Sequence, residues 1–276
     1  MSDEESDILY EVRDRTAIIT LNIPKRLNAL NGAQYLKLGK FLERANNEED
    51  TVLTLIQALG RFFSAGANFA DNDMAKVEMS KLFSHEYWLE RFVARNIWLT
   101  NLFNDHKKIL AAAVNGPVIG LSTGLLLLVD LVYVHDLNKF YLLAPFANLG
   151  LVAEGASSAT LFNRLGWSKA SEALLLAKPI GGQDCYNAGF INKHYDGKFS
   201  STEEFNEHVY KELTEAFENL HDDSILQNKQ LLKLSRDQAI NVANSQEVMR
   251  GLGKWLEGVP QTRFAQLAQK EVKHKL

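Results

Sequence analysis

Residues 109–133 read ILAAAVNGPVIGLSTGLLLLVDLVY, and no charged side chain falls between Ile109 and Val129. An apolar run of that length is long enough to cross a bilayer. Its interior argues otherwise. Asn115-Gly116-Pro117 stops a helix, and Gly120, Ser122, Thr123 and Gly124 follow closely. The stretch reads instead as a buried strand over 109–114, a sharp loop through NGPVIGLS, a buried helix over 123–129 and a second short strand over 131–134. Such a strand–loop–helix turn leaves backbone N–H groups unpaired at the helix start, aimed at whatever sits above the loop. A carbonyl oxygen gaining negative charge fits there, and so does a tight buried turn with no chemistry.

Around this stretch the chain has the composition of an ordinary globular protein. It has 276 residues, 23% charged and 46% hydrophobic. The net charge of −4 gives no sign of nucleic acid or an anionic membrane as partner. Cys185 is the single cysteine, which excludes an internal disulfide and fits a reducing compartment. The seven histidines are scattered and no Cys/His cluster has metal-ligand spacing, so no metal is expected. The acidic start, MSDEESD, is unlike a signal peptide or a mitochondrial presequence.

Read in order, residues 8–12 and 16–21 form a hairpin turning at Arg13-Asp14-Arg15. Pro24 stops the second strand, and Asn31 is placed to cap a helix over 32–46. A buried strand is expected over 52–58, a small-residue loop over 60–68, and a mobile lid or short helix over 69–84. One long helix is expected over 88–105. After the central turn come a loop over 145–158, helices over 156–165 and 168–176, and a further helix over 183–188. From 202 onward the pattern is helical only. Strands alternating with helices, followed by a helical tail, imply an α/β core with mostly parallel strands: residues 1–200 as the core and 201–276 as a helical subdomain.

Three segments in this order resemble the crotonase, or enoyl-CoA hydratase/isomerase, superfamily: GRFFSAGANF (60–69), AAVNGPVIGLSTGL (112–125) and PFANLGLVAEGASS (145–158). AKPIGGQDCYNAGFIN (177–192) is similar to a fourth segment. The wording FVARN, NGPVIGLS and PFANLGLVAEG is most similar to the fungal peroxisomal Δ3,Δ2-enoyl-CoA isomerases of fatty acid β-oxidation. The resemblance implies a crotonase-like ββα-repeat spiral core with a C-terminal α-helical trimerisation subdomain. It also implies an acyl-CoA substrate whose coenzyme A is the only cofactor group, and a homotrimer or homohexamer.

The implied chemistry is a proton transfer. A 3-enoyl thioester has an acidic C2 proton, and its removal gathers negative charge on the thioester oxygen. The resemblance assigns the backbone N–H groups of Ala67 and Leu121 to that oxygen, and Ala65, Gly66, Ala67, Asn68, Phe69 and Leu121 to the substrate. Losing one such donor typically costs about 10²–10³ in rate. Glu154 matches the acid of the third loop and stands alone as an acid in an apolar stretch. Burial there is expected to raise its pKa toward neutrality, which suits a group that both takes and returns a proton. A helix-N-terminal glutamate serving only the dipole reads similarly from local sequence.

Departures from the family pattern select the reaction. Hydratases use two glutamates, and the corresponding positions here are Gly124 and Phe146. Dienoyl-CoA isomerases carry a second acid eight residues before the first, where Phe146 again stands. A Δ3,5-Δ2,4-dienoyl-CoA isomerase remains the nearest alternative, and a catalytically silent acyl-CoA-binding protein is the alternative of another class. Asn68 replaces the usual aspartate of the first loop. Asn96 is expected either beside Glu154 or facing solvent, and Lys25 and Arg26 either at CoA phosphates or on a solvated turn. Phe83, Trp88 and Phe92 line an acyl tunnel or belong to plain core; His106 and His135 are expected to be structural. Leu213, Phe217, Leu231 and Leu234 of the tail require burial against the core or a neighbouring copy. The ending His274-Lys275-Leu276 resembles the Ser-Lys-Leu address read by the peroxisomal import receptor, so a peroxisomal location is expected.

Overall fold

The computed structural model describes residues 7–68, 77–78 and 80–273. The chain opens with an antiparallel hairpin, β1 (Ile8–Arg13) and β2 (Thr16–Leu21). Helix α1 (Gly32–Asn47) begins where the sequence signals it. The Asn31 side chain accepts from the Gln34 backbone N–H, and the Gln34 side chain accepts from the Asn31 backbone N–H. Then come β3 (Leu53–Ala58), α2 (His85–Trp88), a π-helical turn over Leu89–Ala94 and α3 (Arg95–Asn104). One uninterrupted helix was the expectation over 88–105, and the π turn corrects it. Buried residues recur at Trp88, Phe92 and Asn96. That four-residue spacing drifts round a regular helix of roughly 3.6 residues per turn, and the wider π turn keeps the three on one face.

The central stretch forms β4 (Ile109–Val114), β5 (Val118–Ile119) and α4 (Leu121–Leu126). The helix starts two residues before the expected 123, because Gly120 at φ 64° turns the chain at once. β6 (Leu131–Val134), β7 (Tyr141–Leu143) and α5 (Ser157–Leu176) follow, with α5 interrupted at the non-helical Gly166 between the two helices expected there. The chain continues through β8 (Ile180–Gly181), α6 (Gly182–Asn187) and β9 (Lys193–His194). It ends in α7 (Thr202–Phe217), α8 (Asp222–Lys233), α9 (Asp237–Leu256) and α10 (Val259–Ala268).

The strands form a large sheet, ordered β1-β2-β3-β4-β6-β9 and parallel after the first pair, and a small sheet, ordered β5-β7-β8. Isolated parallel bridges Leu30–Ala67 and Ser64–Val118 extend the small sheet. Each successive turn of the chain therefore places one strand in the large sheet, a shorter one in the small layer, and then a helix. This is the expected ββα spiral.

Strand periodicity explains why β2 and β4 are buried throughout. Alternate residues Ile19, Ile56, Ala112 and Val132 face α1 and α3 through Leu38, Leu42 and Leu99. Their neighbours Ile18, Leu55, Ala111 and Ala113 face α7 through Phe205, Val209, Tyr210 and Leu213. Burying each large side chain stabilises the fold by about 1.5–3 kcal/mol. Leu213 and Phe217 thus find their partner in the core.

Helix α8 is inverted relative to its apolar pattern. Its buried residues are Lys229 and Lys233. Lys229 Nζ pairs with Asp130 at 2.6 Å and donates to the Lys108 carbonyl at 2.8 Å. Lys233 donates to the Asn104 carbonyl at the end of α3 and pairs with Asp237. Leu231, Leu232 and Leu234 are consequently 64%, 76% and 77% exposed.

Candidate active site

The first loop is held from below by buried polar side chains. Asn28 donates to the Leu59 and Phe62 carbonyls and accepts from the Ile23 backbone N–H. Ser64 Oγ donates to the Asn28 carbonyl at 2.9 Å and lies 2.8 Å from Ser122 Oγ in α4, which ties the first loop to the second. Leu30 bonds on both sides of Ala67, its N–H to the Gly66 carbonyl and its carbonyl to the Asn68 N–H. In a parallel bridge of this kind the N–H of Ala67 itself points away from Leu30. Leu121 is the first residue of α4, where backbone N–H groups have no partner within the helix.

These two positions are brought together by a close approach. Gly66 has φ 83°, and a Cβ there would lie 2.6 Å from the Ile119 carbonyl oxygen. Glycine at 66 is therefore required by packing of loop against loop. Ala65 N–H donates to the Leu27 carbonyl, so the exposed Lys25 and Arg26 lie on the turn that supports this loop. Phe69 lies outside the described residues. So do residues 70–76 and 79 of the segment expected as lid or short helix, of which Lys81–Phe83 forms a short 3-10 turn.

Glu154 follows from the third loop, just before α5, and is buried. Asn96 Nδ2 donates to its Oε2 at 3.1 Å. Asn96 is itself fully buried, which decides against a solvent-facing position. Arg95 Nε and Nη2 donate to Asn96 Oδ1 at 3.2 and 3.1 Å, and the guanidinium lies 5.3 Å from the centre of the Tyr35 ring. Burial raises the Glu154 carboxyl to about 7, against the lowering effect of Arg95 and the Asn96 hydrogen bond; Glu247 on α9 pushes it up further. A buried carboxyl poised near neutrality can accept a proton and give it back.

Arg95 and Glu247 were not singled out from the sequence. Arg95 lies inside the quoted FVARN wording, the only signal it had. Of the other candidates, Trp88 stacks on Trp255 with ring centres 4.0 Å apart, and Phe92 packs against the same ring, so both belong to the core beneath α9. Phe83 is half-exposed. His106 Nε2 lies 2.8 Å from Thr54 Oγ1, and burial pushes the ring down to about 3, leaving it neutral.

The model of the enoyl-CoA hydratase/isomerase family matches residues 11–198. The chain belongs to this family. A 3,2-trans-enoyl-CoA isomerase of Saccharomyces cerevisiae is 41% identical over 99% of this chain and 98% of its own length. A Δ(3,5)-Δ(2,4)-dienoyl-CoA isomerase of Pyricularia oryzae is 37% identical over 96% of this chain and 98% of its own length. A solved enoyl-CoA hydratase/isomerase from Xanthobacter autotrophicus superposes with a TM-score of 0.82, covering 96% of this chain and 93% of that one at 19% identity.

As a member of the enoyl-CoA hydratase/isomerase family, the chain departs from the hydratase pattern for a steric reason. A Cβ at Gly124 would lie 2.6 Å from the Glu154 carbonyl oxygen and 2.9 Å from that of Gly155. A glutamate at 124 has no room while the third loop rests on α4. Phe146 is buried in the core and carries no titratable group. The same contact sets the Glu154 loop beside Leu121, since a Cβ at Gly155 would lie 3.1 Å from Leu121 Cδ1.

Proposed function

We propose that this chain is a Δ3,Δ2-enoyl-CoA isomerase with Glu154 as its only base. The observation that carries the reading is a buried carboxyl near neutrality, hydrogen-bonded to Asn96 and set against the start of α4, with Gly124 and Phe146 where further acids would be needed. Ionised Glu154 takes a proton from C2 of the 3-enoyl thioester. The C2–H pair becomes the C1–C2 double bond of the dienolate while the carbonyl π pair moves onto the thioester oxygen. In the return step the carbonyl re-forms, the C1–C2 pair shifts to C2–C3, and the C3–C4 π pair takes the proton from Glu154 at C4. Backbone N–H groups of Ala67 and Leu121 stabilise the negative thioester oxygen between the two steps. The transfer is redox-neutral and adds no water, so it calls for no group beyond the coenzyme A that the substrate brings.

Lys25 and Arg26 are proposed to meet the CoA phosphates, and the copies to assemble as trimers or dimers of trimers. The chain is proposed to reach the peroxisome through His274-Lys275-Leu276. Deleting those three residues should leave the protein cytosolic and active; import after deletion would discard the address.

The test is a spectrophotometric assay with 3-enoyl-CoA and 3,5-dienoyl-CoA on the wild type and on Glu154→Gln. The expected result is turnover of the 3-enoyl substrate that falls by about 10²–10⁴ or more in the variant, with acyl-CoA affinity little changed. Preferential turnover of the dienoyl substrate would select the alternative that the Pyricularia relative's name suggests. A variant keeping more than about a tenth of wild-type turnover would remove Glu154 from the mechanism.

A further inference from the structure

The helical tail meets the 145–158 loop at two ends: Arg263 Nε of α10 donates to the Asn148 carbonyl at 3.2 Å, and Glu247 of α9 sits at the start of α5, beyond Glu154. Glu247 of α9 is buried, and its Oε1 accepts the Ser158 backbone N–H at 2.8 Å. That donor lies four residues beyond Glu154, in the first turn of α5. No side chain of that turn caps it, because its N-cap residue is Ala156. Gly155 and Ala156 both sit at positive φ, 69° and 57°, a conformation that alanine adopts rarely. The Ser157 N–H turns back to the Glu154 carbonyl at 3.2 Å, and the next N–H, of Ser158, is the one accepted by Glu247. Its Oε2 is buried with no hydrogen-bond partner among the described residues.

The charged surroundings are few. Arg95 from α3 acts on Glu154, Glu154 in turn raises Tyr35 of α1, and Arg91 acts on Arg95. From the other elements packed on α9, aromatic side chains meet it: Trp88 and Phe92, and Phe264 of α10, surround Trp255. Glu247 and Glu154 are thus two buried carboxyls on either side of the start of α5. Burial pushes Glu247 up to about 7, and Glu247 in turn raises Glu154.

We propose that Glu247 is a positioning residue of the isomerisation: its carboxylate holds the helix start that follows Glu154 by the N–H group of Ser158, and it sets a second negative charge near the base. This rests on Glu154 being the base. The experiment compares kcat, KM and the pH dependence of kcat for the wild type, Glu247→Gln, Glu247→Ala and Glu154→Gln on 3-enoyl-CoA. Glu247→Ala removes both acceptor and charge, and kcat should fall by about 10- to 100-fold with KM within about twofold. Glu247→Gln keeps an acceptor oxygen and should recover most of kcat. Its acid limb should lie at least about half a pH unit lower, because the like charge is gone.

A limb unshifted in Glu247→Gln overturns the proposal, whatever Glu247→Ala does and whether or not that variant folds. The Glu154→Gln control separates the two readings. If Glu154→Gln is dead and Glu247→Gln is unshifted, only the role of Glu247 falls. An active Glu154→Gln overturns the base and this proposal with it.

Discussion

Asn96 donates from Nδ2 to Glu154 Oε2 across 3.1 Å. Which end of the amide faces the carboxyl is decided by Arg95, whose two N–H groups hold the amide oxygen. The cation and the amide donor both favour the ionised carboxylate, and burial opposes them. The balance keeps Glu154 near neutrality, which suits its proposed part of taking a proton and returning it.

Asn96→Ala should therefore raise the Glu154 pKa further and leave less base at neutral pH. A hydrogen bond to a charged group is worth about 1.5–3 kcal/mol, so kcat near pH 7 should fall by roughly 10- to 100-fold. The acid limb of the pH profile should move to higher pH. An unchanged limb would mean that the amide does not act on the ionised base.

Stability should also report the buried carboxyls. Glu154 and Glu247 are each raised from 4.5 to about 7 in the folded chain. Between those values the folded state holds more protons than the unfolded one. Their contribution is fully present below pH 4.5 and is lost as pH rises toward 7. The carboxyls of Glu48, Glu204, Glu207 and Glu212 are shifted the other way, so their effect falls at pH 4.5 and below. Burial holds His106 down at about 3, which adds stability as pH rises through the same window. The check is therefore the difference between variants: from pH 5 to pH 8 the urea midpoint should fall more for the wild type than for Glu154→Gln. Equal drops would show that Glu154 titrates like an exposed carboxyl.

Gly124→Ala adds one methyl group 2.6 Å from the Glu154 carbonyl oxygen and 2.9 Å from that of Gly155. Both are backbone atoms, so the loop carrying the base must move. Overpacking of this kind costs about 1–3 kcal/mol, and a displaced base costs about 100-fold in rate. Gly124→Glu should lose isomerase activity without gaining hydratase activity. Melting temperature and assay together check this, and a fully active Gly124→Ala would show that the loop does not rest on α4.

Leu231, Leu232 and Leu234 expose apolar surface because α8 is docked by its lysines. Under the proposed assembly these three leucines lie where copies meet. The double substitution Leu232→Asp with Leu234→Asp should leave the fold intact, since both side chains lie outside it, and should yield a monomer in light scattering at micromolar concentration. A wild-type monomer under the same conditions would discard the assembly.

The sequence by itself determined the features with local causes. The hairpin, the capped start of α1, the buried strand at 109–114 and the chain reversal at Gly120 all follow from signals a few residues long. Glu154 was singled out by the resemblance of its loop; as a lone acid in an apolar run it read equally as a helix-N-terminal glutamate. Only the tertiary structure decided what surrounds it. Arg95 and Glu247 are charged residues within helices, and such residues read as solvated until the folded chain shows which neighbours cover them. The inverted face of α8 has the same origin: Asp130 and the Asn104 carbonyl, which draw its lysines inward, lie far away in sequence. The spacing of side chains along a helix is local, but the desolvation that moves a carboxyl to about 7 is a property of everything packed around it.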